Sequence, residues 1–393
     1  MPEQQLDELV LTGRFEEAEE ECGRLLSTNP KDAHALAQQG FIALLSNQFA
    51  KAESLLSSAI ELAPDDTASK VRLADCFGRQ DQLARAAELL RSAGQVPKAT
   101  QFAAISADAY RLSGADTADL PFVAIDPLPV MEASVNGHDL PFFFDTGATL
   151  GFSAEFAGQI GLRALATAEG RNAARVVTAH FGVVESLQLG GIELRNIPAV
   201  WSDAPMPHRA NGPQPYGALG TTILYHFLST IDYAGGRLIL RRKTNEQLER
   251  FQAGAARAGA ANLPFWLGPD HYLLAHGSLN NLGPMLCLID TGGPGLGIVT
   301  SEQTAMAAGI EVDSAHPRMF GGTTVLPFVA QEVALGPVVR RDLPGVAGPL
   351  NHPNRPVAGL HAAATITHEF FRHFAATFDF VNMRMYISSS SSN

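Results

Sequence analysis

Two short segments of the chain place an aspartate directly after a run of large apolar residues. Residues 142–144 (Phe-Phe-Phe) run into Asp-Thr-Gly-Ala at 145–148, and residues 286–289 (Leu-Cys-Leu-Ile) run into Asp-Thr-Gly-Gly at 290–293. A carboxylate at the end of a buried strand is costly to desolvate unless a neighbour compensates it. One isolated Asp-Thr-Gly is usually a turn or a helix cap. Two copies in matching contexts indicate a repeated unit with a chemical purpose.

Two such carboxylates, held close together, can activate water. Like charges a few ångström apart cannot both ionise, so the pair shares one proton. The ionised member takes a proton from the water, and the protonated member donates to the carbonyl oxygen under attack. We therefore predict Asp145 and Asp290 as a catalytic pair that needs neither a metal nor a cofactor. The sequence leaves open which of them is the acid, because the pair titrates as a unit.

The surroundings of the two aspartates repeat as well. A strand, a turn and a return strand are expected before each aspartate. Downstream, Ala-Leu-Gly at 218–220 is paired with Val-Ala-Gly at 357–359, and Ile-Asp-Tyr at 231–233 is paired with Phe-Asp-Phe at 378–380. Landmarks in the same order at nearly the same spacing predict a duplicated lobe.

These motifs resemble those of the aspartic proteases, most closely bacterial retropepsin-like enzymes with two lobes in one chain. The resemblance covers roughly residues 121–387. It implies a mainly-β bilobal fold in which one aspartate from each lobe meets at a pseudo-two-fold axis. It also implies that Thr146 and Thr291 brace the two aspartate loops through their hydroxyls. Gly293 departs from the pattern, because Ala, Ser or Thr usually follows the second Asp-Thr-Gly.

Smaller residues around the pair are expected to support it. Gly147 and Gly292 permit a turn that a Cβ atom would block. The two segments that end in glycine are expected to pack against the aspartate loops and hold them. The supporting residues are Thr146, Gly147, Ala148, Thr291, Gly292 and Gly293 in the loops, and Ala218, Leu219, Gly220, Val357, Ala358 and Gly359 behind them.

A different period governs the first part of the chain, where apolar and small positions recur every 34 residues. This spacing resembles the tetratricopeptide repeat, whose unit is a pair of helices. We predict an all-α helical repeat solenoid over residues 1–112 that recruits a substrate or a protein partner, with a plain helical bundle as the alternative. The recurring positions are Phe15, Phe49 and Leu83, and Ala18, Ala52 and Ala86.

The chain is therefore expected to be multidomain. Residues 113–119 are predicted to form a polar linker across which the lobes fold independently of the repeats. Hairpins are expected at 164–184 and near 320–324, the positions of the flaps in retropepsin-like lobes. The expected boundaries are 120–240 for the first lobe, 241–261 for an inter-lobe linker, 262–387 for the second lobe and 388–393 for a disordered tail.

Composition limits the partners. The 393 residues are 46% hydrophobic and 17% charged, as in soluble globular proteins. A net charge of −12 disfavours nucleic acids and anionic membranes. The three cysteines predict neither a disulfide framework nor a metal site. Without an apolar signal segment or membrane span, a cytoplasmic location is expected, or a periplasmic or secreted one if a leader has been removed.

One other constellation looks like a catalytic motif. His368 and His373 flank Glu369, but they are five residues apart, whereas the zincin motif needs four to place both on one helix face. A solvated helix face is the preferred interpretation of this segment. We predict an aspartic endopeptidase acting on peptides or proteins. The alternative is a non-catalytic scaffold that binds peptides or proteins with a protease-like fold and repeats.

Overall fold

The computed structural model describes residues 2–106, 108–172, 175–204, 212, 214–349 and 359–389. Its first hundred residues are helical, and the remainder is mainly β. The predicted order of an α-helical region followed by a mainly-β region is therefore confirmed. The helices of the first region are α1 (Pro2–Leu11), α2 (Phe15–Thr28), α3 (Ala33–Leu45), α4 (Phe49–Leu62), α5 (Thr67–Gly78), α6 (Leu83–Ser92) and α7 (Val96–Ala103).

Consecutive helices pack against each other for reasons that lie in the sequence. Asp32 and Asp66 cap α3 and α5, because their side chains accept backbone N–H groups of the first turn. Gly40 lets α3 and α4 approach closely, since a Cβ atom there would lie 2.8 Å from Leu56 Cγ. The membership of these helices in the tetratricopeptide family stays a prediction. Of the helices that the structure describes, none has both the length and the apolar content to cross a bilayer.

The first lobe is organised around the strand that ends before Asp145. Strand β4 lies between β3, to which it is antiparallel, and β9, to which it is parallel. Its elements are β1 (Arg111–Gly114), β2 (Thr117–Ala124), β3 (Val130–Val135), β4 (His138–Phe144), β5 (Gly151–Ser153), α8 (Ala154–Gln159), β6 (Ala166–Asn172), β7 (Arg175–Leu189), β8 (Ile192–Ser202), β9 (Gly217–Leu219), α9 (Thr221–Leu224), β10 (Phe227–Asp232) and β11 (Arg237–Arg242).

The second lobe repeats this plan. Strand β15 lies between β14, to which it is antiparallel, and β20, to which it is parallel. The remaining elements are α10 (Asn245–Arg257), β12 (Ala261–Pro264), β13 (Trp266–Leu267), β14 (Leu273–Leu279), β15 (Leu282–Ile289), β16 (Ile298–Thr300), α11 (Glu302–Ala307), β17 (Arg318–Phe320), β18 (Thr323–Leu335), β19 (Val338–Ala347), β20 (Ala364–Ile366), α12 (His368–Phe371), β21 (Ala375–Asp379) and β22 (Arg384–Ser388).

A sheet with the order β12-β22-β21-β10-β11-β2 joins the two lobes. At its centre β10 pairs with β21, and the hydroxyls of Thr230 and Thr377 lie 2.7 Å apart. The duplicated Asp232 and Asp379 end these strands, and their carboxylates accept backbone N–H groups of the next turn, one at Asp232 and two at Asp379. The duplicated motif at 231–233 and 378–380 therefore forms the turn after each central strand, and its role is structural.

Two expected linkers are ordered structure. Residues within 113–119 belong to β1, which pairs with β8, and to β2, which pairs with β11. Within 241–261, helix α10 connects two strands of the inter-lobe sheet. Segment 113–119 differs from the expected linker because its backbone pairs along strand edges, which composition does not reveal, whereas 241–261 is a helical connection whose assignment as an inter-lobe linker stays a prediction. Of the expected tail at 388–393, Ser388 ends β22 and residues 390–393 lie outside the described residues.

The helical region packs directly on the second lobe. Alternate residues of a strand face opposite sides of the sheet. On β15, Cys287 and Ile289 therefore point into the main core of the lobes, whereas Leu286 and Leu288 point into a core shared with helices α1 to α3. Without the helices those leucines would be exposed, which disfavours independent folding of the lobes; that expectation stays a prediction.

Buried charge adds to this interface. The side chain of Arg79, directly after α5, is fully buried. Its guanidinium donates to Asp75 at 2.6 Å, to the Leu44 carbonyl at 3.1 Å and to the Gly268 carbonyl of the second lobe at 2.9 Å. One cation therefore satisfies acceptors from two helices and one lobe.

Replacing this cation should destabilise the whole protein. We expect Arg79→Ala to lower the free energy of unfolding by about 3 kcal/mol, because it leaves buried acceptors unpaired. The matched control is Arg24→Ala, which removes an exposed pair with Glu21 and should cost about 0.5 kcal/mol or less. Urea unfolding followed by circular dichroism measures both. Equal, small losses would show that Arg79 does not hold the interface.

Candidate active site

The two predicted aspartates stand at equivalent ends of β4 and β15. Asp145 N–H donates to the Leu219 carbonyl at 3.0 Å, and Asp290 N–H donates to the Ile366 carbonyl at 3.0 Å. Each aspartate is thus fixed by the parallel strand that neighbours its own, β9 in the first lobe and β20 in the second. Both residues are half-buried, so water retains access to them.

The carboxyl groups face each other across two glycines. Gly147 N–H donates to Asp145 Oδ1 and Gly292 N–H donates to Asp290 Oδ1, each at 2.8 Å. A Cβ atom on Gly147 would lie 2.4 Å from Asp290 Cγ, and one on Gly292 would lie 2.5 Å from Asp145 Oδ2. Because a real Cβ atom does not approach so closely, each position requires glycine. Each loop is therefore shaped around the carboxyl group of the other.

The threonines between them lock the two loops together. Thr146 N–H donates to Thr291 Oγ1 at 3.0 Å, and Thr291 N–H donates to Thr146 Oγ1 at 2.9 Å. The Thr146 hydroxyl in turn donates to the Ile289 carbonyl at 3.0 Å. Both side chains are buried, which shields these reciprocal bonds from water. The bracing that the resemblance implies for Thr146 and Thr291 corresponds to these contacts.

Proximity and burial change the acidity of the pair. The pKa of Asp145 is raised well above its usual value, first by burial, then by the charge of Asp290 and by a hydrogen bond with that carboxyl group. The N–H groups of Gly147 and Gly292 act in the opposite direction by stabilising the anion. A hydrogen bond between two carboxyl groups requires a proton on one of them. The arrangement therefore favours a pair that holds one proton and one negative charge.

In the first lobe, the supporting residues lie where they were expected. Strand β9 contains Ala218 and Leu219, and Gly220 follows it. A Cβ atom on Gly220 would lie 1.8 Å from the Ala148 carbonyl oxygen, so this position admits only glycine. The next residue, Thr221, donates its backbone N–H to Ala148 O at 3.0 Å and its hydroxyl to Thr146 O at 2.7 Å.

In the second lobe, the expected supporting segment is displaced. Val357 and Ala358 lie outside the described residues, and Gly359 is exposed, so that a Cβ atom added to it would meet nothing within 4 Å. The counterpart of Ala218, Leu219 and Gly220 is instead the end of β20 with the residue after it: Thr365, Ile366 and Thr367. Gly359 therefore does not take the position of Gly220, which Thr367 occupies instead, and the prediction of Val357 and Ala358 falls outside the described residues.

A reciprocal exchange of side chains explains why this position has no glycine. Gly293 N–H donates to Thr367 Oγ1 at 2.9 Å, and the Thr367 hydroxyl reaches the Gly293 carbonyl at 3.2 Å. A Cβ atom on Gly293 would lie 2.2 Å from Thr367 Oγ1. In the first lobe, the side chain between the aspartate loop and the supporting segment belongs to the loop, at Ala148. In the second lobe it belongs to the supporting segment, at Thr367. The unusual Gly293 therefore makes room for Thr367.

Two buried side chains beneath the pair were not predicted as site residues. Tyr233 packs edge-on against His368, with ring centroids 5.3 Å apart. Burial raises the pKa of Tyr233 and lowers that of His368. His368 is fully buried, which corrects the expectation of a solvated helix face for this segment. Tyr233 could have been found from the sequence, because it belongs to the duplicated Asp-aromatic motif.

His368 also belongs to a group of possible metal ligands. Ligand atoms of Asp126, His368 and Glu369 all lie within 4.8 Å of one another. However, Arg372 Nη1 lies 2.6 Å from Asp126 Oδ1 and 2.9 Å from Glu369 Oε1. The guanidinium already pairs with both carboxylates, and its charge would repel a cation. This arrangement is better suited to an ion-pair network between the lobes than to a metal site.

The fold and the site together define a class: two duplicated β lobes, each of which contributes one aspartate to a pair at their junction. Residues 131–223 match a family model described as aspartyl protease. This segment contains Asp145 and its supporting strand β9.

Solved structures with partial similarity include a retropepsin-like aspartic protease from Rickettsia conorii, with 23% identity over 34% of this chain and 95% of that chain and a TM-score of 0.25. A mutant O-GlcNAc transferase from Thermobaculum terrenum is similar over 26% of this chain and 21% of that chain, with 21% identity and a TM-score of 0.24. No curated protein matches the chain.

The exchange at Gly293 and Thr367 can be tested with a double-mutant cycle. We expect Gly293→Ala alone to lower the free energy of unfolding by about 2 kcal/mol through overpacking. Adding Thr367→Gly should relieve that clash and reproduce the pattern of the first lobe, giving a coupling energy of at least about 1 kcal/mol. Denaturant unfolding of the four proteins provides the measurement. If the two substitutions lower the free energy of unfolding additively, Gly293 and Thr367 do not compensate for each other.

Proposed function

We propose that the protein is an aspartic endopeptidase that hydrolyses peptide bonds in peptides or proteins. The observation that carries this proposal is the pair of Asp145 and Asp290, which abut across the lobe junction with a raised pKa for Asp145. A protein that only binds peptides has no need of two carboxyl groups held against each other at a desolvation cost. The match of residues 131–223 to an aspartyl protease family supports the same function.

The proposed reaction follows from one shared proton. A water molecule between the carboxyl groups loses a proton to the ionised aspartate and attacks the carbonyl carbon of the scissile peptide bond. The protonated aspartate donates its proton to the carbonyl oxygen, so no oxyanion develops unpaired. The tetrahedral intermediate then collapses: one of its hydroxyl groups returns a proton to the aspartate that had protonated the carbonyl oxygen, the C–N bond breaks, and the amine leaves with the proton that the other aspartate took from the water. Both aspartates return to their initial state without a covalent intermediate.

Two hairpins are candidates for holding the substrate. The first joins β6 and β7, and the second joins β17 and β18 through a turn at Gly321 and Gly322, both of which adopt positive φ. Each hairpin exposes a large apolar side chain: Val176 is 59% exposed and Met319 is 69% exposed. We propose that these apolar side chains contact substrate side chains on either side of the scissile bond.

We also propose that the helical region recruits a protein substrate or partner through its outward surface. Helices α1 and α3 are partly covered by the second lobe, whereas one side of α2 remains exposed. That side carries Glu16 and Glu20, and also Glu17, which is paired with Arg14. Charge complementarity therefore favours a partner segment that contains lysine or arginine.

Removing one carboxyl group should abolish hydrolysis. We expect Asp145→Asn and Asp290→Asn each to lower kcat/KM by about a thousandfold or more, because each leaves a pair that cannot exchange its proton. Incubation of wild type and variants with a diverse peptide library, read by mass spectrometry, measures cleavage. Thr230→Ser, a conservative change in the inter-lobe sheet, is the control and should retain activity. Cleavage retained by either asparagine variant would contradict the assignment.

The pH profile should report the shared proton. The raised pKa of Asp145 means that the pair keeps its proton to higher pH than an isolated carboxyl would. Neither Ala148 nor Gly293 offers a side-chain hydroxyl to stabilise the anion. We therefore expect a bell-shaped dependence of kcat/KM centred at roughly pH 4.5 to 6, with activity lost on the alkaline side as the proton leaves. A maximum near pH 2 with no activity above pH 4 would contradict this explanation.

A further inference from the structure

One end of the helical region is tied to the substrate hairpin of the first lobe. The side-chain amide of Gln101, on α7, donates to the Gly182 carbonyl at 2.7 Å and to the Ala199 carbonyl at 2.8 Å. Gly182 and Ala199 are directly paired on β7 and β8, and β7 continues into the hairpin with β6. Gln101 is only 2% exposed, so water cannot replace the hydrogen bonds it makes.

The other end is tied to the strand that carries the second aspartate. Leu286 and Leu288 of β15 share a core with α1 and α3. Gly13 lies so close to β15 that a Cβ atom on it would be 2.8 Å from Leu286 Cδ1, and its carbonyl is 2.9 Å from His276 Nε2 on β14. Two residues after Leu288, the same strand ends at Asp290.

Between these ends, the helices also contact the junction of the lobes. The Asn47 side chain, after α3, donates to the Phe380 carbonyl at 3.1 Å, just beyond the central strand β21. Arg79 reaches the second lobe through the Gly268 carbonyl, as described above. The helical region therefore contacts the first-lobe hairpin, the lobe junction and the second-aspartate strand through a continuous set of packed helices.

We infer that the helical region is a strut that sets the position of the β6–β7 hairpin relative to the aspartate pair, with Gln101 as the positioning residue at the hairpin end. This inference rests on the proposed peptidase function, because the hairpin is assigned there to substrate binding. Gln101 touches neither the aspartates nor their supporting segments. Its loss should therefore change how substrate is held more than how the bond is broken.

The substitution Gln101→Met tests the strut, since it keeps the length of the side chain and removes both donated hydrogen bonds. The matched control is Gln80→Met, because Gln80 also donates a side-chain hydrogen bond, to the Cys76 carbonyl at 2.9 Å, but does so within the helical region. Both variants are made in the full chain. Hydrogen exchange of the hairpin and steady-state kinetics on a peptide substrate are then compared with wild type.

We expect Gln101→Met to raise KM about fivefold or more with kcat within about twofold, and to speed amide exchange in β7 by about tenfold. Gln80→Met should leave KM, kcat and the amide exchange rate of β7 at their wild-type values. Unchanged hairpin exchange in a folded Gln101→Met protein would overturn the strut. So would equal falls of kcat and kcat/KM with KM unchanged, which would point to the chemical step instead.

A second variant covers the case in which Gln101→Met does not fold. Gln101→Glu can donate one hydrogen bond while its carboxyl group is protonated and none once it ionises. Hairpin exchange, after correction for the intrinsic pH dependence measured on wild type, should approach the wild-type rate at low pH and exceed it as pH rises. A ratio of variant to wild-type hairpin exchange rates that does not change with pH would overturn the inference. Exchange requires no turnover, so it tests the strut even if the peptidase proposal fails.

Discussion

The fold depends on the placement of two carboxyl groups in contact, because that contact is unfavourable unless they share a proton. Reciprocal hydrogen bonds between Thr146 and Thr291 hold the loops together, and glycines at 147 and 292 leave space for the opposite carboxyl group. The parallel strands β9 and β20 then fix each loop from behind. The inter-lobe sheet, centred on β10 and β21, keeps the two halves in register with each other.

Much of this arrangement could be read from the sequence, because chemistry restricts the residues that carry it. Asp145 and Asp290 stood out because the same Asp-Thr-Gly follows a buried apolar strand twice, and the repetition of their surroundings predicted the duplicated lobe. The 34-residue period predicted helices, since small residues such as Gly40 must recur where helices touch. In each case a short sequence pattern reflected a physical requirement of the same short segment: burial of a strand before the aspartate, or close contact between helices.

What escaped prediction depended on contacts between distant segments. The polar stretch at 113–119 looked like a linker, but its backbone pairs with β8 and β11. Leu286 and Leu288 belong to an apolar run, and no local pattern showed that their cover comes from helices α1 to α3, more than two hundred residues earlier in the chain. The second supporting segment was misplaced because Thr367 occupies the position where the first lobe has Gly220.

The paired change at Gly293 and Thr367 has a consequence for how such chains are recognised. Each half of the molecule satisfies the same steric requirement with the side chain on a different segment, so one description of a lobe does not fit both. A pattern built on glycine behind the aspartate loop fits the first half, which contains the matched residues 131–223, but not the second. A bilobal chain can thus pass for a single-lobed one, whose complete site would wrongly be sought in a dimer.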